Sequence, residues 1–131
     1  MSVAAAATEP VAGRTRPLVA VVSNVPMIFE GLREELGVFA EVQSFPAHAG
    51  AAGLLRSIRP AAAVVDDEDV LAAVEVVARE LAFSLVHLAL ADGCVRTLRD
   101  GRWVVVDCEG GLRPETVRDV VAADVFARRA G

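Results

Sequence analysis

The stretch AAAVVDDEDV, residues 61–70, ends an apolar run in Asp66, Asp67, Glu68 and Asp69. Carboxylates at the end of a buried strand can hold a divalent cation, accept a phosphoryl group or move a proton. Three other apolar runs end in polar residues. LVAVV is followed by Ser23 and Asn24, FSLVHLAL by Ala91 and Asp92, and RWVVV by Asp107, Cys108 and Glu109. The turn after the first run, SNVPM, has no glycine, which argues against a phosphate-cradling loop. Neither a Gly-x-Ser-x-Gly elbow nor a His-x-x-x-His metal pair occurs. No nucleophile–base pair is visible, so the sequence points away from an enzyme.

Each candidate also has a plainer role. Glu68 and Asp69 suit the first turn of a following helix, where the positive end of its dipole favours acids. Asp66 points into the crevice at the strand end, facing Asp107 and Glu109. Cys94 and Cys108 could form a redox pair, although two isolated cysteines are more often small packing residues, as in a cytosolic protein. His48 reads as an exposed loop residue and His87 as a hydrogen-bonded core histidine. No metal or cofactor is expected.

The elements that must position these residues follow from patterning. Residues 18–24 form a β-branched run buried on both faces. A helix follows over 26–36, with Pro26 at its start and Ile28, Leu32 and Leu36 spaced by four. Residues 39–45 alternate apolar and polar, as an edge strand does. A second helix ends at Pro60, a third strand covers 61–66, and an amphipathic helix runs over 69–81. Residues 83–90 give a fourth strand, 93–101 a short helix or turn, 102–108 a fifth strand and 113–130 a last helix. Strands alternating with helices imply a doubly wound, five-stranded parallel sheet, a flavodoxin-like (βα)5 fold. It would span residues 17–131 after a flexible tail of residues 1–16.

The order of these segments resembles the receiver domain of bacterial response regulators, in the subfamily that carries a helix-turn-helix. VVSNVPMIFEGLREEL is similar to that family's first strand and helix. IRPAAAVVD looks like its Arg-Pro-led third strand, and LRPETVRDVV like the start of its last helix. The resemblance implies that Asp66 stands where the family receives phosphate. It also implies a degenerate site. Ser23 and Asn24 replace the acidic pair that holds Mg²⁺, and Ala89 replaces the hydroxylated switch residue. Asp107 and Cys108 stand where a Lys belongs, in a chain that contains no Lys at all. The crevice of Ser23, Asn24, Asp66, Asp67, Ala89, Asp107 and Cys108 would then be a dismantled phosphoacceptor site.

Composition narrows the rest. The chain has 131 residues, 54% of them hydrophobic, with a net charge of −5. That size suits one continuous core. The arginines are scattered, so no basic stripe offers itself to nucleic acid. No apolar run reaches the ~18 residues of a membrane span, and the N-terminus lacks a charged n-region, so a cytoplasmic protein is expected. Val117, Val121, Val125 and Phe126 make a wide apolar stripe on the last helix, and Trp103 beside Arg102 has interface chemistry. The reading is a phosphorylation-independent pseudo-receiver in signalling, with an implied link to transcription, acting by protein contact or as a homodimer. Two alternatives remain: a small-molecule sensor using the vacated crevice, and an unconventional phosphoacceptor through Asp66.

Overall fold

The computed structural model describes residues 16–108 and 112–130, with the side chains of 128–130 excepted. Among the described residues there are six strands and four helices, which alternate as far as the fourth strand and then give three successive strands before the last helix. They are β1 (Leu18–Val22), α1 (Pro26–Leu36), β2 (Glu41–Phe45), α2 (Ala51–Ile58), β3 (Ala62–Val65), α3 (Glu68–Leu81), β4 (Ser84–Ala89), β5 (Cys94–Arg99), β6 (Arg102–Asp107) and α4 (Pro114–Ala130). One sheet runs in the order β2-β1-β3-β4-β5-β6. The first four strands are mutually parallel, and β5 is antiparallel to both β4 and β6.

In the parallel half, β1, β3 and β4 are buried on both faces, which their unbroken runs of Val, Ala and Leu require. On one face Val19, Val21, Val64, Val86 and Leu88 meet Leu32 and Leu36 of α1 and the valines of α4. On the other, Ala20, Val22, Ala63, Val65 and Leu85 meet Leu55 of α2 and Val74 and Val77 of α3. Local chemistry fixes the helix starts. Pro26 occupies the first turn of α1, where its missing N–H costs no hydrogen bond. The Asp67 carboxylate caps α3 by accepting from the Asp69 N–H at 2.8 Å. Residues 1–15 of the expected tail lie outside the described residues. Arg16, its last residue, donates to the carbonyls of Gly37 and Ala40 at the end of α1.

The C-terminal half departs from the five-stranded parallel sheet. The segment expected as a short helix or turn is strand β5, and the expected fifth parallel strand is β6, its hairpin partner. The cause is local. Asp100 and Gly101 both adopt positive φ, 51° and 77°, which is the mirror-image turn that two-residue hairpins use. Asp-Gly between two alternating strands is that turn's sequence signature. The chain has by then already reversed once, at residues 90–93 with Gly93 at φ 68°, where a crossover helix would have begun. The fold is therefore a mixed six-stranded sheet and not flavodoxin-like. The response-regulator and two-component assignments that rested on that fold lose their support with it.

The hairpin also brings Cys94 and Cys108 opposite each other, and they form a disulfide across 14 residues of sequence. They are neither separate packing residues nor, therefore, an argument for a reducing compartment. Closing a loop of this size restricts the unfolded chain by about 3 kcal/mol in the chain-entropy treatment. Replacing both cysteines with serine should lower the free energy of unfolding by about that amount. Urea denaturation with and without reductant checks it, since an unresponsive midpoint in the parent protein would mean that the thiols are free.

Candidate functional site

The polar residues at the carboxyl edge of the parallel strands are engaged with one another. Ser23, just past β1, is buried. Its hydroxyl donates to Asp66 Oδ2 at 2.6 Å and accepts from the Val25 N–H at 2.9 Å. Asn24 clamps the neighbouring loop in both directions. Its Nδ2 donates to the Ala47 carbonyl at 3.1 Å, and its Oδ1 accepts from the Ala47 N–H at 2.8 Å. These bonds tie the loop after β1 to the end of β3 and to the loop after β2. Asp67 caps α3, with Glu68 and Asp69 in its first turn. Ala89 is buried at the end of β4, paired with Cys94.

Asp107 and Cys108 do not join this group. Strand β6 runs in the same direction as β4, so its end does lie on the same edge of the sheet. However, β5 lies between them, and three inter-strand steps of ~4.8 Å separate β3 from β6. Asp107 instead serves the start of α4, accepting from Thr116 Oγ1 at 3.3 Å and lying 3.9 Å from Arg113. Glu109 lies outside the described residues. The expected crevice is thus split into a polar knot at Ser23–Asn24–Asp66 and a separate hairpin end. Ser23 and Asn24 border a hollow of about 350 Å³, but its other walls, Phe29, Glu30, Ser44 and Pro46 among them, do not include Asp66. Among the described residues no group of three or more His, Cys, Asp or Glu could hold a metal ion.

The expected interface on α4 is largely core. Val117, Val121 and Val125 are buried against the sheet and α1. Phe126 is 47% exposed, and its ring meets Phe39 edge-on at 5.5 Å between centroids. Thr97 of β5 is fully buried and donates to Asp124 at 3.0 Å, while Arg99 pairs with the same carboxylate at 3.3 Å. Trp103 lies half-buried on the α3 side of the sheet, its indole N–H donating to Glu75 at 3.2 Å.

Two features escaped the sequence. The first is a groove of about 310 Å³ between α1 and α4, lined by Met27, Ile28, Leu32, Leu88 and Leu90 with Arg113 beside them. Spacing on α1 places Ile28 and Leu32 on its inner face, but it does not say that Leu88, Leu90 and the start of α4 will wall a gap beside them. The second is a polar cluster under α3. Arg96 donates to His87 Nδ1 and stacks on Trp103, 5.0 Å from the ring centroid. His87 Nε2 is buried with no hydrogen-bond partner among the described residues. Sequence placed His87 in the core, but a partner on an unrecognised strand could not be foreseen.

Burial, reinforced by the Arg96 guanidinium, pushes the His87 pKa below its ordinary 6.5, while Glu68, Asp66 and Asp92 act weakly in the opposite sense. The unfolded chain then binds the proton more readily than the folded one. Stability is complete above about pH 6.5 and should fall as the pH drops toward the depressed folded value. Urea midpoints measured between about pH 7.5 and 5 should show that decline, and His87→Leu should flatten it. A His87→Leu profile parallel to the parent's would assign the decline to other groups.

Comparison with known families, curated proteins and solved structures finds no match, so none of these identifies a receiver domain. No helix among the described residues is long and apolar enough to cross a membrane.

Proposed function

We propose that this domain is a non-enzymatic regulatory module that works by protein–protein contact and without phosphorylation. The observation that carries the reading is the 2.6 Å hydrogen bond from Ser23 to Asp66, with the Asn24 clamp beside it. The carboxylate best placed to react is committed to holding two loops together. Phosphoryl transfer would require neutralising charge around it. Its sequence neighbours are Asp67, Glu68 and Asp69, and no Lys exists in the chain to pair with a phosphate. Meanwhile large apolar side chains lie outside the core, at Met27 and Leu90 beside the groove and at three consecutive valines of β6. Such surface suits contact more than chemistry. The link to transcriptional control rests on the receiver resemblance alone.

Incubation with acetyl phosphate and Mg²⁺ should leave the intact mass and the association state unchanged. A phosphoryl adduct that disappears in Asp66→Asn would overturn the reading in favour of an unconventional phosphoacceptor.

A second reading, capture of a small apolar ligand, is favoured by the α1–α4 groove and not by the crevice first expected. Its apolar walls with one guanidinium beside them match an apolar molecule carrying an anionic group. An anionic naphthalene fluorophore should brighten in the groove, and Leu90→Asp should abolish the signal. Equal brightening in parent and variant would place the probe elsewhere and remove this reading.

A further inference from the structure

The two edges of the sheet differ in chemistry. Edge β2 reads Glu-Val-Gln-Ser-Phe, with Glu41 and Gln43 hydrogen-bonded along it at 3.0 Å. Exposed charge of this kind discourages pairing with another sheet. Edge β6 reads Arg-Trp-Val-Val-Val-Asp, with Val104 38%, Val105 56% and Val106 39% exposed. It contains no proline, and the charges stand only at its two ends. Among the described residues no strand pairs with its outer side.

The geometry of the hairpin says which backbone groups face outward. A two-residue turn closes on a hydrogen-bonded pair, here Arg99 with Arg102. Antiparallel pairs alternate, so Val104 also bonds inward while Trp103 and Val105 turn their N–H and C=O groups away from β5. The irregularity opposite Val95 and Arg96, which leaves Val106 without a partner in the register, comes only after this stretch.

We propose that β6 pairs antiparallel with β6 of a second copy of this chain, about a two-fold axis passing beside Val104. This rests on the reading that the domain works by protein contact, and it names the partner. The register matches each chain's outward groups, because Trp103 of one copy then faces Val105 of the other and both exchange main-chain hydrogen bonds. It sets an aromatic ring against a β-branched residue twice, a favourable cross-strand pair. It apposes the two Val104 side chains. It also brings Arg102 of each copy to the end of the strand where the other carries Asp107, so the charges complement themselves in an isologous contact. A different protein would need none of this self-complementarity. One strand pair is small beside the about 1,000 Å² of a stable interface, so a dissociation constant on the order of tens of micromolar is expected.

Light scattering on the full chain from low micromolar to about millimolar concentration should show the mass rising from one copy toward two. Val105→Pro removes an outward N–H that bonds nothing within the hairpin, and proline is tolerated on an edge in that orientation. It should leave the circular dichroism unchanged and weaken association at least about tenfold. Arg102→Glu should weaken it by repelling the partner's Asp107, and Phe126→Ser, away from β6, should not. Trp103 is the only tryptophan, so its emission should shift over the same concentration range. A mass of one copy at every concentration overturns the proposal. A dimer indifferent to Val105→Pro and Arg102→Glu overturns it too, while leaving the contact-module reading in place. Phosphorylation at Asp66 would defeat that reading without touching this one.

Discussion

Two tight reversals, one at residues 90–93 with Gly93 at positive φ and one at Asp100–Gly101, set the arrangement of the C-terminal half of this molecule. A parallel successor to β4 would need a crossover of a dozen or more residues. The turn at residues 90–93 instead sends the chain straight back along β4, and Asp100–Gly101 reverses it once more. The consequences are linked. Strand β5 occupies the place beside β4, and β6 becomes the edge. Cys94 and Cys108 are brought opposite each other and bond. Arg96 comes within reach of His87, so a buried imidazole gains a cationic neighbour on the α3 face. Thr97 and Arg99 acquire Asp124, which docks α4 across the hairpin. Asp107, which a parallel arrangement would set near Asp66, is carried out to the far strand.

The sequence was a good guide to the half of the fold where burial alone decides. Residues 18–22, 62–65 and 84–89 are buried on both faces and could be read as central strands from their unbroken apolar runs. The alternation in 41–45 matched its place at an edge. Helices α1 and α3 declared themselves through Pro26 and through Glu68 and Asp69, while the cap itself, Asp67, read as part of the crevice. The failure lay in residues 93–101, where Arg, Thr and Gly obscure a period-two pattern that the burial of Val95 and Thr97 makes plain in three dimensions. The Asp-Gly signal was present. It was outweighed by the regular βα alternation before it, and by a resemblance that requires a parallel fifth strand.

At the candidate site the residue positions were legible but their partners were not. Ser23, Asn24 and Asp66 do cluster at the carboxyl edge, where an α/β sheet normally presents its chemistry. A row of side chains at strand ends can nevertheless serve two masters. It can meet a ligand, or it can satisfy the backbone of the loops that leave those strands. Asn24 reaching both the N–H and the C=O of Ala47 is the second case, and a sequence does not show which loop will come within 3 Å. The α4 stripe failed for a related reason. Its valines look too numerous for one contact until the sheet and α1 are seen to share them.

What the hairpin removes from the carboxyl edge it adds at the side of the sheet. Receiver-like expectation concentrated function at Asp66, on a strand three places in from the new edge. The structure commits Asp66 to a loop and leaves the outer side of β6 without a strand partner among the described residues. An edge of this kind is a liability unless something covers it, and proteins usually blunt such edges with lysine, proline or inward charge. This chain has no lysine, and β6 has no proline. Its only blunting devices are the terminal Arg102 and Asp107 and the irregularity at Val106. Those same two charges, placed at opposite ends of an apolar strand, oppose any parallel approach and favour an antiparallel one. The features that limit indiscriminate pairing are thus the ones that would select a single, symmetric partner.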